Sequence, residues 1–182
     1  MNTLKVHTVE TAPEGSKASL EESIKAFGML PNLHAVLASS PNTLQAYKDL
    51  HNGFQNSSFN TDEVTVVWQT INVEHECHYC VPAHTAIAHM MGVDASITET
   101  LRNGGNLEDS KLQTLKETTL SIIRNRGRIS EQELSSFYAA GYSEQQVLEI
   151  ILGVAQKTIS NYTNHIANTP VDAPFQKFAW SK

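Results

Sequence analysis

The sequence predicts a single all-α domain. Helix start and stop signals recur from Ser19 to Pro170, whereas only one run, over residues 64–71, is rich in β-branched residues. A lone strand would have no partner, so we interpret this run as a buried helix, although its local propensity alone would also allow a buried strand. The length of 182 residues is typical of one compact domain with a sizeable core.

The first helices follow an N-terminal arm, which we predict over residues 1–18. Ser19 opens a short helix, and Gly28 stops it because glycine readily adopts the left-handed conformation found at helix ends. A second helix is predicted to begin at Pro41, since proline is favoured in the first turn, and to end near Gly53.

The later helices are predicted from their polar N-caps, which stand at Asn60, Asp94, Ser130 and Ser143. Apolar residues at helical spacing predict one more helix that Gly127 stops. The last helix, over residues 143–168, has apolar residues on more than one face, which indicates burial in the core, at a subunit interface or both. The aromatic tail around Phe175, Phe178 and Trp180 is expected to pack back on the domain.

Composition excludes several classes of protein. The formal net charge is −6 with no basic block, so nucleic acid is not an expected partner, because phosphate binding needs clustered Lys and Arg. No apolar stretch is long enough for a membrane span, and the first residues contain no apolar leader region. Two cysteines cannot make a disulfide framework. We therefore expect a soluble cytoplasmic protein.

The chemistry is concentrated between Glu74 and His89, where both cysteines and four of the eight histidines lie. Pro82 is tolerated only in the first turn of a helix, so a helix must begin at about Cys80. A cysteine at a helix N-terminus lies near unpaired N–H groups, which lower its pKa from about 8.5. At about 100° per residue, Cys77, Cys80 and His84 would share one side of that helix.

This spacing favours a dithiol redox centre that needs no cofactor and no metal. One cysteine would attack a peroxide or a disulfide, the other would resolve the product, and His84 would take the proton of Cys80 or stabilise its thiolate. One alternative is a zinc site made of Cys77, Cys80 and His84 with one further histidine, which could be His75, His78 or His89. Another alternative is a non-catalytic oligomer whose cysteines only sense redox state.

The run Glu74-His75-Glu76-Cys77-His78-Tyr79-Cys80-Val81-Pro82-Ala83-His84 resembles the carboxymuconolactone decarboxylase superfamily. It is most similar to the alkyl hydroperoxidase D-like, peroxidase-related branch, which shares the pattern C-x-[YH]-C-x-x-A-H. Further similar segments extend the resemblance from about residue 28 onward, namely Leu30-Pro31-Asn32, Ser40-Pro41, Arg126-Gly127, Ala140-Gly141-Tyr142, Asn161-Tyr162-Thr163-Asn164-His165 and Thr169-Pro170. Residues from about 43 to 125 correspond to the core of that family.

The resemblance implies an all-α helical bundle that assembles as a homo-oligomer, whether dimer, trimer or hexamer. It implies antioxidant reduction of a small hydroperoxide, with a protein or a small thiol as electron donor. Cys80 matches the peroxidatic cysteine, Cys77 the resolving cysteine, and His84 the histidine of the family's proton relay. The decarboxylase branch lacks the cysteine pair, so the pair favours redox chemistry.

One position departs from the family. The relay glutamate is expected twelve residues before the first cysteine, where this chain has Thr65, which is no carboxylate. Glu63 lies about 200° round a helix from that position and is the weaker substitute. Glu74 could face the cysteines if its helix continued to Cys77, so we name Glu74 as the candidate acid/base.

Overall fold

The computed structural model describes residues 4–182, so residues 1–3 of the predicted arm lie outside it. The described chain is helical and has no strand, which confirms the all-α prediction. Its helices are α1 Glu14–Phe27, α2 Asn32–Leu37, α3 Pro41–Gln55, α4 Thr61–Glu74, α5 Cys80–Met90, α6 Ala95–Arg102, α7 Ser110–Arg124, α8 Glu131–Ala139 and α9 Glu144–Ala167, followed by a 3₁₀ segment, Ala173–Phe178.

Several helix ends lie where the sequence predicts them. The backbone N–H of Glu63 donates to Asn60 Oδ1 at 3.0 Å, and that of Asn60 donates to Glu63 Oε2 at 2.9 Å. This capping box starts α4, so the β-branched run over residues 64–71 is a buried helix, as interpreted. Ser130 and Glu133 form the same reciprocal pair at the start of α8.

The first helix begins earlier than predicted. It starts at Glu14, directly after Pro13, whereas the sequence predicts that residues 14–18 belong to the N-terminal arm. Serine is unfavourable inside a helix because its hydroxyl competes for backbone hydrogen bonds. Here the Ser16 hydroxyl donates to the Ala38 carbonyl oxygen at 2.8 Å, and the side chain is fully buried. Tertiary contacts therefore stabilise a turn of helix that local propensity does not favour. The short helix α2 was not predicted at all.

Helix α4 lies at the centre of the fold and packs against α5, α6, α7 and α9. One apolar cluster surrounds Trp68 and Phe54, which are almost fully buried. A second cluster, to which α1, α2 and α3 contribute, encloses Cys77 and Cys80. The two sulfurs are therefore placed inside the protein, between α5 and the first three helices.

The tail packs back on the domain as predicted. The 3₁₀ segment contacts α5, and the ring of Phe178 lies 5.0 Å from that of His89 in an edge-to-face arrangement. Trp180 Nε1 donates to the Arg102 carbonyl oxygen at 3.0 Å. Among residues 4–182, no helix is long and apolar enough to cross a membrane.

Candidate active site

A sharp turn between α4 and α5 positions the two cysteines. Helix α4 ends at Glu74, and Glu76 then adopts a left-handed conformation with φ of 52°, which reverses the chain. Cys77 lies in the turn, where its N–H donates to the Asn72 carbonyl oxygen at 3.0 Å. Cys80 is the first residue of α5, as predicted. Cys77 therefore precedes the helix that carries Cys80 and His84.

Two buried amides of α4 hold the start of α5 in place. Gln69 Nε2 donates to the Val81 carbonyl oxygen at 3.1 Å and to Thr85 Oγ1 at 3.0 Å. Asn72 Nδ2 donates to the Cys80 carbonyl oxygen at 3.4 Å. Such fully buried amides are costly unless they are hydrogen-bonded, so these contacts fix the orientation of the helix that presents Cys80.

The two thiols are free, buried and close to each other. Cys77 is 0% and Cys80 2% exposed. The Cys80 N–H donates to Cys77 Sγ at 3.3 Å. From α9, Asn164 Nδ2 donates to Cys80 Sγ at 3.3 Å and reaches Cys77 Sγ at 4.0 Å. A single amide thus bridges the pair.

The surroundings shift the pKa values of the two cysteines in opposite directions. Burial acts to raise the pKa of Cys80, but the hydrogen bond from Cys77 and the positive charge of Lys157 outweigh it, so the pKa lies well below its usual value. The pKa of Cys77 is raised, first by its hydrogen bond to Cys80 and then by burial. These opposite shifts favour the thiolate at Cys80 and the thiol at Cys77.

Lys157 is the cation of the site, and it is fully buried in α9. Its ammonium group is hydrogen-bonded to His84 Nε2, and its Nζ lies 5.8 Å from the centre of the Trp68 ring. Burial lowers the pKa of Lys157, while negative charge on Cys80 and Cys77 acts to raise it. A buried lysine needs a compensating anion to remain charged, and a thiolate at Cys80 would be such an anion.

The surroundings of His84 disfavour its protonated form. Burial, and then the charge of Lys157, hold its pKa well below the ordinary value. If Nε2 accepts from the ammonium of Lys157, the ring proton is on Nδ1, which is buried and has no hydrogen-bond partner among the described residues. An N–H of this kind can donate to an oxygen atom that enters the site.

The fold recurs in solved structures. An alkylhydroperoxidase AhpD core structure, an uncharacterised peroxidase-related protein from Ralstonia eutropha JMP134, superposes with a TM-score of 0.82 at 16% identity, covering 94% of this chain and 92% of that one. A peroxidase-related protein from Silicibacter sp. TM1040 gives 0.79 at 17% identity, with 95% and 92% covered. This chain has the AhpD-like fold. No family model and no curated protein sequence matches the chain.

Structures similar to this chain include proteins with different named activities. The debrominase Bmp8, solved in complex with 2,3,4-tribromopyrrole, superposes with a TM-score of 0.73 at 14% identity, and 97% of this chain and 95% of Bmp8 are covered. The fold implied by the cysteine motif is thus confirmed. A shared fold does not determine the reaction, so the chemistry of this chain depends on the residues of its own site.

The turn at Glu76 keeps Glu74 from facing the cysteines along one helix, because α4 ends at Glu74 instead of continuing to Cys77. The Glu74 carboxylate accepts from Arg124 Nε at 2.7 Å and from Arg124 Nη2 at 2.8 Å. This bidentate contact lowers the pKa of Glu74. The condition under which Glu74 could serve the thiols is therefore not met.

The second candidate carboxylate is also engaged elsewhere. Glu63 caps its own helix at Asn60, and its other oxygen lies 3.0 Å from Lys111 Nζ. Thr65, where the sequence resemblance would place a relay glutamate, donates its hydroxyl to the Thr61 carbonyl oxygen at 3.0 Å. The structure instead places the Asn164 amide beside Cys80 and the Lys157 side chain beside His84.

Replacing Glu74 with glutamine should leave thiol reactivity unchanged. Because Glu74 and Arg124 are 23% and 59% exposed in their side chains, losing this ion pair should lower the free energy of unfolding by about 1 kcal/mol or less. Urea denaturation measures the free energy of unfolding, and the rate of alkylation of Cys80 measures thiol reactivity. A tenfold slower alkylation would show that Glu74 acts on the thiols after all.

The histidines considered for zinc have other partners. His75 Nδ1 donates to Asn161 Oδ1 at 2.9 Å, and His78 Nε2 donates to the Thr169 carbonyl oxygen at 3.0 Å. Within the described part of the chain, no three or more His, Cys, Asp and Glu side chains are grouped so as to hold a metal ion.

Sequence reasoning missed the contribution of α9. Lys157, Asn161 and Asn164 are fully buried, although they stand in a helix that is otherwise rich in apolar residues. Their spacing of four and three residues places them on one side of the helix. A polar stripe within an apolar helix was the signal available in the sequence, since buried polar groups need partners.

Proposed function

We propose that this protein is a thiol-dependent peroxidase in which Cys80 reduces a small hydroperoxide and Cys77 completes a disulfide with it. The observation that supports this most strongly is the buried Cys80, whose N–H donates to Cys77 Sγ at 3.3 Å and whose pKa is lowered by the hydrogen bond from Cys77 and by the charge of Lys157. A cysteine with a lowered pKa is present as the nucleophilic thiolate at neutral pH. The peroxidase-related AhpD-like neighbours agree with this assignment.

In the first step, the Cys80 thiolate attacks the terminal oxygen of a hydroperoxide ROOH. A sulfur–oxygen bond forms and the oxygen–oxygen bond breaks, so Cys80 becomes a sulfenic acid and the alkoxide leaves. Lys157, in contact with His84, gives the alkoxide a proton and releases the alcohol ROH. A buried ammonium is suited to this transfer because burial lowers the pKa of Lys157.

In the second step, Cys77 attacks the sulfur of the sulfenic acid. Its thiol hydrogen ends on the departing hydroxyl group, so one sulfur–sulfur bond forms, one sulfur–oxygen bond breaks, and one water leaves. Cys77 is placed for this attack by the turn that puts its sulfur 3.3 Å from the Cys80 N–H. A protein dithiol, or two small thiols, then supplies two electrons and two protons and restores the thiolate and the ammonium.

Rapid mixing with hydroperoxides tests this function. Reduced protein with one equivalent of cumene hydroperoxide should lose both of its thiols per chain and release one cumyl alcohol. Mass spectrometry should then show a Cys77–Cys80 disulfide. Two thiols that remain titratable in excess cumene hydroperoxide and hydrogen peroxide would contradict the proposal.

The same assay separates peroxidase from dehalogenase chemistry. Because the neighbour Bmp8 is a debrominase, reduced protein is also mixed with 2,3,4-tribromopyrrole. We expect no release of bromide on the timescale of peroxide reduction. Faster thiol loss with this compound than with any hydroperoxide would overturn the assignment.

A further inference from the structure

A cavity of about 380 Å³ opens between α4, α6, α7 and the C-terminal tail. It lies apart from the thiols, since none of its described lining residues belongs to the apolar cluster that encloses the two cysteines. The volume falls within the range of about 300–1,000 Å³ that is typical of small-molecule sites. The apolar part of its wall is formed by Val73, Leu101, Leu120 and Trp180.

The charged part of the wall is mainly positive. Among the described lining side chains, the carboxylate of Glu74 faces the cations Arg102, Lys116, Arg124 and Lys182. The chain as a whole has a formal net charge of −6, so this cavity is a basic site on an acidic protein. A concave site lined by one sign of charge attracts ions of the opposite sign.

Two of these cations are paired with carboxylates at the edge of the cavity. Arg124 makes the bidentate contact with Glu74 described above. Lys182 Nζ lies 2.9 Å from Glu76 Oε1, and both of these side chains are more than half exposed. The charges of these pairs largely cancel, so neither pair provides an uncompensated cation for a ligand.

Arg102 fixes the tail as one wall of the cavity. Its Nη1 donates to the Phe178 carbonyl oxygen at 3.1 Å, and its Nη2 donates to the Ala179 carbonyl oxygen at 3.3 Å. Its own carbonyl oxygen accepts from Trp180 Nε1, and its Nε lies 3.6 Å from Glu99 Oε1. The guanidinium of Arg102 is therefore occupied in holding the wall together.

Lys116 is the cation of the wall that has no carboxylate partner. It lies on α7, is only 7% exposed, and its ammonium donates to the Gly105 carbonyl oxygen. None of the ion pairs within residues 4–182 includes it. Burial lowers its pKa, although the charge of the adjacent Glu117 acts to raise it. A buried ammonium is stabilised by a nearby anion, and a bound anion would supply that charge.

Thr70, on α4, gives a second and independent observation at the same cavity. It lines the cavity and is 3% exposed, and its Oγ1 is buried without a hydrogen-bond partner among the described residues. Thr65, on the same helix, instead donates its hydroxyl to the carbonyl oxygen of Thr61. Because buried hydroxyl groups are normally hydrogen-bonded, the unpaired Thr70 hydroxyl indicates an acceptor that enters the cavity.

We propose that this cavity binds a small organic carboxylate, which accepts from the Lys116 ammonium and the Thr70 hydroxyl while the apolar part of the wall covers its hydrocarbon group. One unpaired ammonium favours a singly charged anion over a phosphate dianion, because a second negative charge would be buried without a partner. The site does not depend on the proposed function, since its residues lie outside the cluster around the thiols.

Benzoate is the probe, and benzyl alcohol is its uncharged counterpart. The chain has two tryptophans, of which Trp180 lines the cavity and Trp68 is buried in the core, so the indole N–H signals in NMR report the site and an internal reference. The Trp180→Phe variant assigns them. We expect benzoate to shift the Trp180 signal in a saturable way and to leave that of Trp68 unchanged.

The anionic group should decide this binding. Benzyl alcohol should bind at least about tenfold more weakly than benzoate, because it cannot pair with the ammonium. No saturable shift of Trp180 with benzoate, or an equal affinity for benzyl alcohol, would overturn the proposal. Tighter binding of inorganic phosphate than of benzoate would contradict the assignment to a carboxylate. The titration has no redox step, so its result is independent of whether the thiols reduce a hydroperoxide.

The first variant removes the cation. Lys116→Met should weaken benzoate binding about tenfold or more, because the ligand loses a hydrogen bond between charged groups. Lys25→Met, on the exposed surface of α1 and away from the cavity, is the matched control and should keep the wild-type affinity. Equal affinities of wild type and a folded Lys116→Met protein would overturn the proposal.

The second variant tests the hydroxyl and keeps the shape of the side chain. Thr70→Val should leave the unliganded protein at least as resistant to urea, since it removes an unpaired buried hydroxyl, and should still weaken benzoate binding about tenfold. Thr65→Val, on the same helix but outside the cavity, should keep the affinity for benzoate. Wild-type affinity in Thr70→Val would overturn the role of this hydroxyl.

Discussion

Replacing Cys80 with serine should slow the loss of thiols in the presence of a hydroperoxide about a thousandfold or more, because the variant lacks the nucleophile. The remaining cysteine cannot replace it. Cys77 stays buried, and burial acts to raise its pKa, so little thiolate forms there at neutral pH. Stopped-flow mixing followed by titration of free thiols measures the rate.

The Cys77→Ser variant is the matched control. It should keep the fast first step and stop at the sulfenic acid of Cys80, which dimedone traps and mass spectrometry detects. Loss of the Cys77 hydrogen bond should raise the pKa of Cys80 somewhat, since that bond favours the thiolate. If instead Cys80→Ser reacts rapidly and Cys77→Ser is inert, the two roles are reversed.

Much of the fold could be predicted because local signals and tertiary packing agree. Asn60 with Glu63 and Ser130 with Glu133 satisfy the free N–H groups of their own helices, so the sequence alone fixes those starts. Pro82 likewise restricts the start of α5, because proline is accommodated only in a first turn. Signals of this kind need no knowledge of distant residues.

The start of α1 could not be predicted for the opposite reason. Ser16 is compatible with a helix there because its hydroxyl bonds the Ala38 carbonyl, twenty-two residues away. The short helix α2 depends on a similar contact. The Asn32 N–H donates to Asp172 Oδ1 at 3.0 Å, and Asp172 lies far along the chain from it. Contacts at such separations leave no local pattern.

The same difference between local and distant contacts decides which residues of the candidate site could be predicted. Cys77, Cys80 and His84 could be named because they are neighbours in the sequence. The prediction for Glu74 depends on its helix continuing to Cys77, and the left-handed turn at Glu76 ends that helix. Because glutamate rarely adopts a positive φ, the sequence gives no signal for this turn. Lys157 lies seventy-three residues after His84, so its contact with that ring is visible only in three dimensions.

Replacing Lys157 with methionine should raise the pKa of Cys80 and slow its reaction with hydroperoxide at pH 7 about 10-fold to 100-fold. The buried ammonium lowers the pKa of Cys80, so removing it leaves burial to favour the neutral thiol. The sign follows directly: less thiolate is present at pH 7, and the rate should recover as the pH rises past the new pKa. The pH dependence of iodoacetamide alkylation and the ultraviolet absorbance of the thiolate both report that pKa.

Lys116→Met is the control, because Lys116, on α7, is also a buried lysine but donates to the Gly105 carbonyl oxygen in the loop before α7 instead of contacting a residue of the site. Its alkylation profile should match that of the wild type. A merely structural role for Lys157 would lower the rate equally at all pH values, or only by unfolding the protein, which circular dichroism detects. A Lys157→Met variant that keeps the wild-type pKa of Cys80 would show that the thiolate does not depend on this cation.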